Sequence, residues 1–151
     1  MNLTSHRAAT ARQQRMLSFL LSKTSFLAGR MAVEALTPLD ARIYHFAVLA
    51  ALEEFGPASQ ADLERRTGID RSDMAAAVAE LATQGYIDRA PDKMDRRRNV
   101  VTLTPAGREQ LGRLDETLSR VQDELFVPLS PSERADLARL LTRVLDHHLP
   151  R

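Results

Sequence analysis

Two short helices joined by a four-residue turn constrain this chain more than any other feature. Ser59-Gln60-Ala61-Asp62 reads as a capping box, a hydroxyl at the N-cap answered three residues later by a carboxylate. The helix it opens runs from Gln60 to Arg66 and stops at Gly68, because glycine takes the left-handed conformation that ends a helix. Asp70-Arg71-Ser72-Asp73 opens the next helix, from about Arg71 to Gln84, and Gly85 stops it. Asp73 is expected to cap the backbone of Asp70. Only Thr67-Gly68-Ile69-Asp70 lies between the two, which is the spacing of a helix-turn-helix.

Beyond Gly85 the pattern changes from helix to strand. Tyr86-Ile87-Asp88-Arg89 is a short strand, and Asn99-Val100-Val101-Thr102-Leu103, rich in β-branched residues, is a second. The segment from Ala90 to Arg98 between them is polar, basic and marked by Pro91, so it reads as a β-hairpin with a protruding tip. Residues 89–99 hold Arg89, Lys93, Arg96, Arg97 and Arg98 against Asp92 and Asp95, a local net of +3. The whole of 59–104 balances eight basic against eight acidic residues, so positive charge is focused on the hairpin. The order helix-turn-helix, strand, basic hairpin, strand is a winged helix-turn-helix. Its second helix can lie in the major groove of DNA, and the hairpin can reach phosphates or the minor groove beside it.

The flanks are helical. A long pattern from about Thr10 to Leu36 puts Met16, Phe19, Leu20, Phe26, Leu27, Met31 and Val33 on one broad face. Thr37-Pro38-Leu39-Asp40 reads as a capping box with Pro at the first helical position. The helix it opens, through Ile43 to Leu52, is apolar nearly all round and belongs at the centre of a core. After the wing, Thr104-Pro105 starts a long helix to about Val127, and Ser130-Pro131-Ser132-Glu133 caps a last one to about His147. The apolar stripes of these flanks (Leu111, Leu114, Leu118, Val121, Leu125, then Leu137, Leu140, Leu141, Val144, Leu145) exceed what a small winged module buries. They predict a homodimer. The expected fold is mainly α with a small β-hairpin wing, a winged helix-turn-helix inside a helical dimer. Residues 1–36 and 105–151 are read as dimerisation helices and 37–104 as the DNA-binding module.

Composition excludes several alternatives. No Cys among 151 residues removes disulfides, thiolate chemistry and Cys-ligated metals. A net charge of +1 leaves DNA affinity to local patches. No apolar run reaches the length of a membrane span. Residues 1–33 carry His6, Arg7, Arg12, Arg15, Lys23 and Arg30 and no acid, which superficially fits a transit peptide. An amphipathic helix that begins the folded domain is preferred, because the stretch runs on into the next helix. A cytoplasmic protein is expected. His147 and His148 are neighbours that point about 100° apart and chelate poorly, and His45 on the buried helix reads as a satisfied core histidine. With no catalytic constellation and no Gly-rich phosphate loop, neither an enzyme nor a cofactor is expected.

In its middle the sequence resembles the MarR (multiple antibiotic resistance regulator) transcription factors. The matching residues are Leu36-Thr37-Pro38, Ser59-Gln60-Ala61-Asp62-Leu63, Gly85-Tyr86-Ile87-Asp88-Arg89, Asp95-Arg96-Arg97, and Val101-Thr102-Leu103-Thr104-Pro105-Ala106-Gly107. The resemblance implies a homodimer on a pseudo-palindromic operator, usually a repressor, often released by a small and commonly aromatic molecule. It implies that Arg97 is the wing arginine placed in the minor groove and that Asp95 orients it. Narrow grooves attract guanidinium through their negative potential, and a nearby carboxylate can fix its rotamer. The bland alternative is that Arg96, Arg97 and Arg98 only solvate a loop.

The front of the second helix departs from that family. Where relatives commonly carry Thr and Arg, this chain has Ala75 and Ala76, and Arg71 is the one cation there. Alanine can still touch a thymine methyl, and Ser72 can bond a base or phosphate. Ser59 and Gln60 at a helix N-terminus suit a phosphate, or simply cap. Met74, Val78 and Leu81 have core spacing. Lys23 and Arg30, seven residues apart on an apolar face, either snorkel and pair with acids or line a pocket for an anionic aromatic effector. A protein-interaction module that kept the winged fold and lost operator specificity is the alternative function.

Overall fold

The computed structural model describes residues 9–149; His6 and Arg7 of the basic N-terminal stretch, and the outermost residues of the two expected dimerisation segments, lie outside them. The helices are α1 Ala11–Gln14, α2 Leu17–Leu36, α3 Ile43–Phe55, α4 Gln60–Thr67, α5 Arg71–Thr83, α6 Pro105–Leu125 and α7 Pro131–His148. Three strands, β1 Ala58–Ser59, β2 Ile87–Pro91 and β3 Asn99–Leu103, form an antiparallel sheet in the order β1-β3-β2. The winged helix-turn-helix is therefore present, with one strand more than expected. Ala58 and Ser59 pair with Val101 and Val100. A two-residue strand of Ala and Ser carries no strand signal of its own.

Two expected boundaries are corrected. The first helix is not continuous from Thr10 to Leu36. Thr10 caps a single turn, Arg15 closes it, and Met16 is extended (φ −81°, ψ 119°) before α2 begins. Thr37 does not cap the central helix either. Its hydroxyl donates back to the Val33 carbonyl at 2.7 Å, and Thr37–Leu39 forms a 3-10 turn that ends at Asp40 with φ 49°. The chain enters α3 only at Ile43, with Arg42 as its N-cap residue. Proline after threonine thus tightened the end of α2 instead of starting α3.

The core sits where the central helix was expected. Val48, Leu49 and Leu52 of α3 pack with Leu63, Met74, Val78, Leu81, Ile87 and Val101, all almost completely buried. Leu111 and Leu114 of α6 belong to the same cluster, so that part of the expected interface stripe is the chain's own core. The remainder of the stripe differs. Helix α7 buries no residue completely, and Leu140, Val144, Leu145 and Leu149 are each about half exposed, as are Met16, Leu21 and Val33 at the other end of the chain.

One glycine holds the wing to the helical layer. A Cβ built on Gly107 would lie 2.0 Å from the Tyr86 carbonyl oxygen. Thr104 N–H donates to that same oxygen at 3.1 Å, its hydroxyl donates to the Gly85 carbonyl at 2.8 Å, and its Oγ caps Gly107 N–H. The Thr104-Pro105-Ala106-Gly107 run is thus a joint: threonine turns the strand into α6, and glycine lets the helix close on the turn before β2.

Candidate nucleic-acid interface

Helix α5 is sharply two-faced. Met74, Ala77, Val78 and Leu81 are buried, while Arg71, Ser72, Ala75, Ala76, Ala79, Glu80 and Thr83 are exposed. The expected core residues are therefore core, and the expected contact residues form the free face. Asp70 caps the helix, its Oδ1 accepting from Ser72 N–H at 3.0 Å and Asp73 N–H at 3.1 Å. These bonds, that to Asp73 foremost, hold the Asp70 carboxyl below its usual range. Among the described residues the return bond expected from the Asp73 carboxylate to the Asp70 N–H is not formed, and Asp70 alone caps the helix. Ser72 also donates its hydroxyl to Asp70 Oδ1 at 3.1 Å, so it is partly engaged by the cap.

The wing tip is built by aspartates that fold it back on itself. Asp92 Oδ1 accepts from Met94 N–H at 2.8 Å, and Asp95 Oδ1 accepts from Arg97 N–H at 3.0 Å. Arg98 N–H donates to the Asp95 carbonyl, and Asp92 N–H to the Arg98 carbonyl. Asp95 was expected to orient the Arg97 guanidinium; among the described residues it engages the backbone N–H of Arg97 instead. The turn presents the residue, and the side chain stays exposed, as do those of Arg96 and Lys93.

Arg98 behaves differently from its neighbours. Its Nη2 donates to Ser59 Oγ at 2.9 Å and lies 3.6 Å from Asp62 Oδ2. Ser59 is nearly buried, and its Oγ also accepts from Asp62 N–H while Asp62 Oδ2 takes Ser59 N–H. The expected capping box is thus complete and carries a third member from the wing. Hydrogen bonds from Ser59, side chain and backbone, with help from Arg65 and against a little burial, lower the Asp62 pKa to about 2. Gln60, half-buried, reaches Glu64 at 3.5 Å along its own helix. Nothing in the sequence flags Arg98 as the odd member of three adjacent arginines; the register Ser59↔Val100 decides it.

A second cluster lies at the far end of α5. His45 is buried, and its Nδ1 accepts from Arg42 N–H at 3.2 Å. The proton is therefore on Nε2, which donates to Glu80 Oε2 at 2.6 Å. Arg42 Nη2 reaches both Glu80 oxygens, at 2.8 and 2.7 Å. Burial opposes ionisation of Glu80, but the His45 and Arg42 hydrogen bonds overcome it and hold the carboxyl below its usual range. His45 is the satisfied core histidine expected; Arg42 is the N-cap residue of its own helix, and Glu80 comes from a separate one.

Beside this cluster lies a largely apolar cavity of about 830 Å³ between α2 and the start of α3, lined among others by Phe26, Arg30, Val33, Arg42, Ile43 and Tyr44. Arg30 lies on it and pairs with Glu34 at 3.1 Å on its own helix. Lys23 is not part of that lining; its Nζ stands 5.6 Å from the centre of the Phe19 ring. Among the described residues no helix is long and apolar enough to cross a membrane.

Comparison with known proteins matches this geometry. A family profile described as MarR family matches residues 36–98. The HTH-type transcriptional repressor NicR of Pseudomonas putida is 30% identical over 101 residues, covering 67% of this chain and 64% of that one. The chain covers between half and two thirds of the length of the first such relatives. Among solved structures, Bordetella bronchiseptica BpsR, whose DNA binding is regulated by 6-hydroxynicotinic acid, superposes with a TM-score of 0.78 at 25% identity, covering 87% of this chain and 94% of that one. The PcaV transcriptional regulator of Streptomyces coelicolor, solved with its natural ligand, gives 0.75 at 26% identity over 91% and 97%.

Proposed function

This chain belongs to the MarR family, a family of non-enzymatic DNA-binding regulators, and we propose that it acts as a homodimeric repressor of transcription on a pseudo-palindromic operator. The observation that carries the proposal is the pairing of a helix whose free face is Arg71, Ser72, Ala75 and Ala76 with a wing that holds Arg96 and Arg97 exposed on an Asp95-built turn. In this reading α5 enters the major groove by shape and methyl contact, and Arg97 enters the minor groove. Ser59 and Gln60 at the start of α4, with Arg98, face the phosphates. A second copy covers the half-exposed apolar residues of α2 and α7 and sets the two recognition helices about 34–36 Å apart.

The effector is an anionic aromatic compound in the cavity between α2 and α3. Arg30 and Arg42 supply positive charge, against the one acid Glu34, to a mainly apolar lining that includes Phe26 and Tyr44. Lys23, about 10 Å along α2 from Arg30, contributes charge at longer range. NicR is a named repressor, and the DNA binding of BpsR answers to a hydroxynicotinic acid, which supports both halves of the reading.

Fluorescence anisotropy with DNA from upstream of the gene, run at several salt concentrations, tests it. Binding that discriminates one pseudo-palindrome from unrelated duplex is expected. Weak binding of every duplex alike, through the wing alone, would favour the protein-interaction module.

A further inference from the structure

Arg42 belongs to two places at once. Its guanidinium holds Glu80 near the far end of the exposed side of the recognition helix, and the same residue lines the apolar cavity on its other side. It also lines a second, polar cavity of about 640 Å³ with His45, Glu80, Gln84 and Asp40. Arg42, Ala41 and Thr37 are common to both linings and so form the wall between them.

Besides the buried Leu81 and the Leu81 and Ala82 carbonyls that close the turn into β2, the far end of α5 is tied to this wall region. Gln84 Nε2 donates to the Asp40 carbonyl at 3.0 Å and to its carboxylate at 3.1 Å, and Glu80 takes Arg42 and His45. Both ties run to the six residues from Asp40, just after the 3-10 turn, to His45 in the first turn of α3. The side chains of Arg42 and Glu80 are 47% and 45% exposed, so the pair can part without stranding a charge in the core. His45 would remain on Glu80 if Arg42 left.

We propose that Arg42 couples effector to DNA: an aromatic carboxylate bound in the apolar cavity takes the Arg42 guanidinium from Glu80 and so loosens the recognition helix from the segment that sets its pose. Exchanging one carboxylate for another on the same guanidinium is nearly neutral, so burial of the ligand ring against Phe26, Val33, Ile43 and Tyr44 decides the outcome. The coupling is reciprocal, since whatever weakens the hold of Glu80 on Arg42 must strengthen the ligand. This inference rests on the anionic aromatic effector proposed for the same cavity, and Glu80 acts in it as a positioning residue.

Calorimetry with 6-hydroxynicotinic acid and with salicylate, together with DNA anisotropy, tests it on the full chain. Glu80→Gln keeps the shape and the His45 hydrogen bond but removes the charge. It should bind the probe about tenfold tighter, bind upstream DNA about tenfold more weakly, and lose most of the probe's effect on DNA. A merely structural Glu80 would lower the melting temperature and DNA affinity without tightening the probe. Arg42→Gln should lose probe affinity and DNA affinity together. If the wild type responds to a probe and Glu80→Gln binds it no tighter, the coupling is overturned and the effector site stands. If the wild type binds neither probe, the effector reading falls and takes this one with it.

Discussion

Arg98 donates to the Ser59 hydroxyl oxygen at 2.9 Å, so one of three adjacent wing arginines clasps the base of the wing to the N-terminus of α4. The wing is thereby tied to the helix-turn-helix, and Arg96, Arg97 and Lys93 carry the tip charges that the clasp does not engage. Arg97→Ala should weaken DNA binding and reduce the log–log salt slope by about 1 per subunit, or about 2 per dimer. Arg98→Ala should lower affinity with less than half that change in slope, because its guanidinium is already engaged. Titrations at several salt concentrations measure both, and equal slopes for the two variants would contradict the division of labour.

Ala76 is exposed on the free face of α5 and carries no donor. Ala76→Lys should strengthen binding to unrelated duplex and steepen its salt slope by about 1 per subunit. An unchanged slope would mean that this face does not meet the backbone.

Gly107 lies where a Cβ would stand 2.0 Å from backbone, not from a side chain that could move aside. Gly107→Ala should therefore destabilise the fold by about 3 kcal/mol or more, against the small gain alanine normally brings to a helix. Gly112 has open space around its Cα, and Gly112→Ala on the same helix should be neutral or stabilising. Thermal unfolding of the two variants side by side checks this; similar melting temperatures would count against the close approach.

Asp62 has its pKa lowered to about 2 by the Ser59 bonds first and by Arg65. A carboxyl depressed on folding contributes stability that is present above its ordinary range and lost as pH falls towards the folded value. The wild type should lose stability from about pH 4 down to pH 2, and Asp62→Asn should flatten that part of the curve while lowering stability at neutral pH. Chemical unfolding across the range reads it directly, and parallel curves would exclude Asp62 as the source.

Leu140 and Val144 are one helical turn apart on α7 and are 48% and 54% exposed in the single chain. A partner surface is the simplest account of them. Leu140→Glu with Val144→Glu should convert the proposed dimer to a monomer by light scattering at micromolar concentration and reduce operator affinity at least tenfold, since two half-sites are then no longer held together. A dimer that persists in the double variant would place the interface elsewhere.

Much of this protein was legible in one dimension because its signals are local. Capping boxes at Ser59 and Ser130, stops at Gly68 and Gly85, and the β-branched run of β3 act within a few residues, so the order of the main helices and the two wing strands, the two-faced recognition helix and the exposed wing can be read from sequence. What depends on residues far apart in the chain could not. The Ser59↔Val100 register selected Arg98 over Arg96 and Arg97 for the clasp, and the close approach of α6 to the Tyr86 carbonyl gave Gly107 its reason. The meeting of Arg42, His45 and Glu80, 38 positions apart at its widest, arises only when α3 packs against α5. Even the break at Met16 and the 3-10 turn at Thr37 escaped periodicity, since hydrophobic spacing reports which face is buried and says little about where a helix pauses. Local propensity decided the elements; packing decided which of several equivalent charges face solvent and which bind one another.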